Sequence, residues 1–172
     1  NAGNSIESGG NYNVVVGDEA GTAITTGDDN VLVGYSAGDA ITTGTRNVAV
    51  GTGAAGTNVS GDYNVAVGYE SLTTSTASQN TALGFRSLRS DTTGADNVAI
   101  GRSALQENTS ASNNVAVGHL SLKNNTTGTQ NVAVGALALD ANTTASYNTA
   151  VGYNALTANT TGADNTAVGR TA

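Results

Sequence analysis

Residues 148–164 read NTAVGYNALTANTTGAD, and the first five letters of that stretch decide the fold. The phrase Asn-(Val/Thr)-x-(Val/Leu/Ile)-Gly occurs ten times, led by Asn13, Asn30, Asn47, Asn64, Asn80, Asn97, Asn114, Asn131, Asn148 and Asn165. Every step is 17 residues except Asn64 to Asn80, which is 16. A period this short is smaller than a domain and than most helix-pair repeats, so each copy is one coil of a stacked array. The expected fold is all-β: a parallel β-solenoid of about ten 17-residue coils. Residues 1–12 read as a partial leading coil and residues 13–172 as one continuous array.

The unit is N-[VT]-A-[VLI]-G-x-x-[AS]-L-x-x-N-T-T-G-x-x, numbered here as positions 1 to 17 from its Asn. The β-prone segment closes at Gly17, Gly34, Gly51, Gly68, Gly84, Gly101, Gly118, Gly135, Gly152 and Gly169. A Gly in every copy marks a corner needing positive φ or close backbone approach. A second Gly (Gly27, Gly44, Gly61, Gly94, Gly128, Gly162) ends most copies. Two turn signals per coil leave room for two or three short strands, and no 3.6-residue apolar stripe argues for helix. Stacked coils set like residues about 4.8 Å apart, so the ten Asn form a ladder of amides able to bond to one another. The 16-residue copy is expected to lose one turn residue while the ladders keep register.

In Val65-Ala66-Val67 and its equivalents both strand faces are apolar. One face fills the coil; the other must be covered, and a second copy of the chain is the economical cover. The first two copies carry large Val15 and Leu32 at position 3, Gly21 and Gly38 at position 9, and Ile24 and Ile41 at position 12. From the fourth copy, position 3 is Ala, position 9 is Leu, and position 12 is polar. Constant interior volume explains the exchange if these three positions bound one cavity.

The composition excludes several classes. A net charge of −7 and six scattered basic residues do not suit nucleic acid, and no apolar run is long enough to span a membrane. The absence of Cys removes disulfide and thiolate-metal frameworks. The chain opens without Met and its tenth copy stops at Ala172, which reads as a piece of a longer array.

With Asn97-Val98-Ala99-Ile100-Gly101-Arg102-Ser103-Ala104 as the closest copy, the chain resembles the head repeats of trimeric autotransporter adhesins. The Asn159–Gly162 insert is more similar to repeat arrays of phage tail fibres and bacterial surface fibres, some of which end in a self-cleaving chaperone domain. The resemblance runs from about Asn13 to Ala172, and the 17-residue period departs from the adhesin repeat. It implies a left-handed β-roll, a homotrimer, and an extracellular, cell-surface or virion location.

Candidate sites are few. Position 6 reads Asp18, Tyr35, Thr52, Tyr69, Phe85, Arg102, His119, Ala136, Tyr153, Arg170. Of these Tyr35, Tyr69, Phe85, His119 and Tyr153 form the candidate ligand column, able to stack on sugar rings or on one another. The bland reading is an exposed flank or subunit contact. Asp28 and Asp29 stand in a mixed column, unlike the repeated acid of a calcium β-roll, and no cofactor or metal is expected. Asp91, Asp96 and Glu107 are isolated carboxylates with no evident cleft. The N-x-S/T sites at Asn58, Asn108, Asn124, Asn125, Asn142 and Asn159 read foremost as turn chemistry.

The function expected is a non-enzymatic structural or adhesive fibre segment, with itself as partner and a host-surface glycan or protein as a further one. An ice-binding solenoid is the first alternative, although adjacent pairs such as Thr126-Thr127 leave only one Thr rank facing outward. A polysaccharide-binding or -cleaving fibre is the second.

Overall fold

The computed structural model describes residues 2–4 and 10–172. Residues 1 and 5–9 of the expected leading coil lie outside this set. Ten three-residue strands follow one another: β1 (Val14–Val16), β2 (Val31–Val33), β3 (Val48–Val50), β4 (Val65–Val67) and β5 (Thr81–Leu83), then β6 (Val98–Ile100), β7 (Val115–Val117), β8 (Val132–Val134), β9 (Thr149–Val151) and β10 (Thr166–Val168). They form a single parallel sheet in chain order, each residue paired with its equivalent one coil on. The chain is a β-solenoid. Across the 16-residue copy the register holds, Val65 pairing with Thr81 and Ala66 with Ala82.

Where the spacing of turn signals leaves room for two or three strands per coil, the structure has one. The reason lies in the backbone. Twenty-six non-glycine residues take φ between 48° and 64°, where only a few per cent of such residues normally sit. They occupy three columns: position 7 (Leu120, Leu137), position 9 (Leu72 through Leu156) and position 17 (Asp96, Gln130). Left-handed φ costs an L-residue about 1–2 kcal/mol. Each turned peptide points its N–H along the stack instead. Leu120 donates to the Arg102 carbonyl one coil back (3.0 Å), Leu122 to Ala138 one coil on (2.9 Å), and Gln130 to Ser112 one coil back (3.3 Å). Inter-coil hydrogen bonding thus continues where the strand geometry stops, and repetition makes it periodic.

The position-5 corner is closed to any side chain. Gly118 has φ +136°, and a Cβ there would lie 2.6 Å from the Gly135 carbonyl carbon and oxygen. The position-15 corner is looser and follows a two-coil rule: Gly61-Asp62, Ala77-Ser78, Gly94-Ala95, Ala111-Ser112, Gly128-Thr129, Ala145-Ser146. A Cβ on Gly61, Gly94 or Gly128 would meet the carbonyl oxygen of the following Ala at 2.2 Å. The Ser beside that Ala accepts the preceding coil's N–H, as Asp62 to Ser78 (3.0 Å), Ala95 to Ser112 (3.0 Å) and Thr129 to Ser146 (2.9 Å). From Gly61 onward the structural period along this edge is two coils, a rule present in the sequence that the single-copy consensus conceals; before it Gly27, Gly44 and Gly61 follow one another.

The interior is a set of columns at positions 1, 3, 8, 9 and 12. The Asn column does more than bond amide to amide. Each Oδ1 accepts the backbone N–H of the next Asn, as Asn131 to Asn114 (2.9 Å). The Nδ2 of most members also reaches across its own coil to the position-15 carbonyl, as Asn131 to Ala145 (2.9 Å). Backbone groups that two corners leave unpaired are met this way, deep in the coil, where an orphan would cost about 1–3 kcal/mol. At the short copy the backbone bond persists, from Asn80 to Asn64 at 2.9 Å.

Positions 3, 9 and 12 do share one volume. A Cβ on Gly38 would fall 2.7 Å from Leu32 Cδ2 and 2.9 Å from Ile41 Cδ1. In later coils Ala at position 3 and a polar residue at position 12 leave that space to a buried Leu at position 9, such as Leu88 or Leu105.

Candidate interaction surface

The middle residue of each inner strand is buried, while those on either side face outward, half-buried as Val115 and Val117 are or exposed as Leu83 is. This leaves two outward columns running the length of the sheet: Val14 to Thr166 at position 2, valine except for Thr81, Thr149 and Thr166, and the wholly apolar Val16 to Val168 at position 4. Their flanks are equally distinctive. All seven aromatic residues of the chain sit in the columns just before and just after the strand: Tyr12, Tyr63 and Tyr147 at position 17, and Tyr35, Tyr69, Phe85 and Tyr153 at position 6. Each is 40% to 85% exposed. Position 17 is exposed because its left-handed turn precedes the inward Asn, and position 6 because it follows the Gly corner.

The structure joins part of the candidate ligand column. Tyr69 and Phe85 stack with centroids 5.5 Å apart and planes 11° from parallel. The Arg102 guanidinium lies 5.9 Å from the Phe85 centroid and its Nη1 is 3.2 Å from His119 Nε2. Arg86 lies 5.0 Å from the Phe85 centroid, and Glu70 Oε2 accepts from Nε of both Arg86 and Arg89 at 2.9 Å. Tyr35 and Tyr153 each stand two coils beyond an end of this run. The rings stack on one another along the fibre, so Phe85 turns its faces to Tyr69 and Arg102 and its edge to solvent.

The paired threonines divide their work. At position 13 the hydroxyl bonds the next coil's backbone: Thr92 to the Thr109 carbonyl (2.6 Å), Thr109 to Thr126 (3.0 Å), Thr126 to Thr143 (3.0 Å). At position 14 Thr26, Thr43, Thr93, Thr127, Thr144 and Thr161 are exposed. The short copy interrupts that rank between Ser60 and Thr93.

Position 12 turns out to be interior. Asn58, Asn108, Asn125 and Asn142 are fully buried, so four of the six N-x-S/T amides are inaccessible in the fold. Asn142 Nδ2 donates to Asn125 Oδ1 (2.9 Å), Asn125 to Asn108 (3.3 Å), and Asn108 to Asp91 Oδ1 (2.7 Å). Asp91 closes the run, also accepting from the Ser75 hydroxyl (2.7 Å) and the Gly94 N–H (3.1 Å). Burial pushes its carboxyl up to about 6, against the opposing pull of the Ser75, Asn108 and Gly94 hydrogen bonds. At the other end the buried Asn142 Oδ1 has no partner.

Asp96 and Glu107 stand on different coils, and no pocket opens among the described residues. Among them, too, no three His, Cys, Asp or Glu are placed to hold a metal ion. No family model matches the chain, and no curated protein or solved structure matches it.

Proposed function

We propose that this chain is a structural or adhesive segment of an extracellular or virion fibre, a stiff solenoid that works as a homotrimer. The observation that carries the reading is the outer face: two mostly apolar columns over ten strands, broken only by Thr81, Thr149 and Thr166, and bordered by every aromatic residue the chain has. A contiguous apolar strip of that length is unusual on a monomer, and aromatic residues are enriched at interfaces. A stacked coil suits a spacer because its length grows by about 4.8 Å per copy without any new kind of contact. The partner of first rank is the chain itself; a host-surface glycan or protein is a further one.

Light scattering across a range of concentrations tests it. The expected result is a mass three times that of the chain, unchanged on dilution. A monomer at working concentration removes the proposal.

A further inference from the structure

We infer that copies of this chain pack parallel and in register, the position-17 flank of one protomer against the position-6 flank of the next. This rests on self-assembly through the outer face and adds its direction and its register.

Area makes the flanks necessary. The strand strip alone is about 10 Å wide and about 45 Å long, giving about 450 Å² per protomer. A stable interface uses about 800 Å² per partner. Extending the contact to the two flanking columns roughly doubles the width and reaches that size.

Symmetry then decides what each flank meets. Rotation about an axis parallel to the solenoid leaves every residue at its own height and brings unlike flanks together. The position-17 residue just before a strand and the position-6 residue just after it are therefore opposed between protomers. A two-fold axis across the solenoid reverses heights and sets each flank against itself.

The residues match the first arrangement. Both arginines of position 6 flank the same strand as an aspartate at position 17 of the preceding copy: Arg102 with Asp96 across β6, and Arg170 with Asp164 across β10. Tyr63 and Tyr69 flank β4, and Tyr147 and Tyr153 flank β9. No strand carries like charges on its two flanks; Arg46 faces Thr52, and Asp29 faces Tyr35. Antiparallel packing centred on the array makes one opposite-charge pair, Asp18 with Arg170, and sets Asp96 against Gln79.

These pairs are not used within the chain. Asp96 and Arg102 are separated by the whole strand and its corner, and among the described residues Asp96, Asp164 and Arg170 enter no ion pair. Matched charges at equal height on opposite flanks have no intramolecular purpose. Between protomers they fix register, since sliding by one coil sets Asp96 beside His119 or Phe85 in place of Arg102.

Cysteine cross-linking tests this cleanly because the chain has no Cys. The double variant Asp96→Cys/Arg102→Cys is oxidised under native conditions and run on a non-reducing gel, with each single variant beside it. An intramolecular disulfide is out of reach across the strand. The expected result is a covalent oligomer from the double variant and none from either single one. Self-linking of Asp96→Cys alone means that like flanks meet, and overturns the inference. So does efficient linking by the offset pair Asp96→Cys/Arg170→Cys, which stands about 19 Å out of register. An oligomer of unchanged mass that never cross-links overturns the register while sparing the fibre reading. A monomeric mass overturns both.

Discussion

Coils one and two enclose the same interior as coils four to nine, but from different walls. In the first region Leu32 and Ile41 reach inward from positions 3 and 12, and Gly38 leaves them room. In the second, Leu88, Leu105, Leu122 and Leu139 reach inward from position 9, past alanines at position 3. The exchange has a polar consequence. An Ile at position 12 asks nothing of its neighbours, whereas a buried Asn must find partners above and below, so the later coils run a second amide column beside the first. Asp91 stands at the head of that column because it receives donors from both sides and offers none. Coil three belongs to neither region: Ala49, Ala55 and Asn58 are all small.

The sharpest way to break this comparison is to put the second wall into the first region. Gly38→Leu should cost more than about 3 kcal/mol, because Leu32 and Ile41 already fill the space and overpacked cores do not yield cheaply. The triple variant Leu32→Ala/Gly38→Leu/Ile41→Asn should recover most of that loss in urea unfolding. If the triple variant is as unstable as the single one, the three columns do not share a volume.

Next in size is Leu122→Ala, expected to lose about 2–4 kcal/mol from its buried position. Leu122→Gly sharpens it. With φ at 50°, Gly should be more stable than Ala here by about 1 kcal/mol, the reverse of the order found in ordinary strands and helices. Ala outperforming Gly would count against a left-handed backbone at position 9.

Asp91 gives an effect of up to about 3 kcal/mol that depends on pH. Its folded value of about 6 lies above the unfolded 3.8, so between those values the folded chain binds the extra proton. Stability should rise as pH falls from 7 towards 4, and the penalty of the buried charge should be full above pH 6. Asp91→Asn should therefore raise the unfolding midpoint at pH 8 and change it little at pH 4. A variant destabilised at both pH values would mean that the carboxylate is the better partner for Ser75 and Asn108.

The smallest effect is expected in the coil between the regions. Ala55 already has the φ of its leucine equivalents, at 51°, so Ala55→Leu adds apolar volume without new backbone strain. A gain of about 1 kcal/mol is expected, read as a shift in thermal midpoint; a loss would show that coil three is already full.

Much of this was legible in the chain. Ten Asn and ten corner Gly at fixed spacing announce the stack, and the exchange between Leu32 and Leu72 announces a shared cavity. The alternation of Gly61-Asp62 with Ala77-Ser78 was equally open to inspection and is hidden only by averaging the copies. Position 12 was legible as a wall of that cavity in the first two coils, but its later asparagines were not. Asn-Thr-Thr-Gly has the composition of an exposed turn, and only burial of Asn108 and Asn125 distinguishes it from one. The left-handed residues were invisible for a related reason: Leu122, Gln130 and Leu137 carry no compositional mark of positive φ, and they hold it because a neighbouring coil supplies each turned N–H with a carbonyl.

By itself, then, the sequence determined the period, the parallel order of the strands and the columns in which like residues fall. These are properties of spacing along the chain, and a repeat must stack equivalent positions whatever path its coil follows. Tertiary structure alone decided that the later asparagines of position 12 face inward and that Tyr69 and Phe85 stack on one another. It also decided that Asp96 and Arg102 stand on opposite flanks of one apolar face. Those outcomes depend on where the backbone turns, and it turns at residues whose conformation is set by the coils on either side of them.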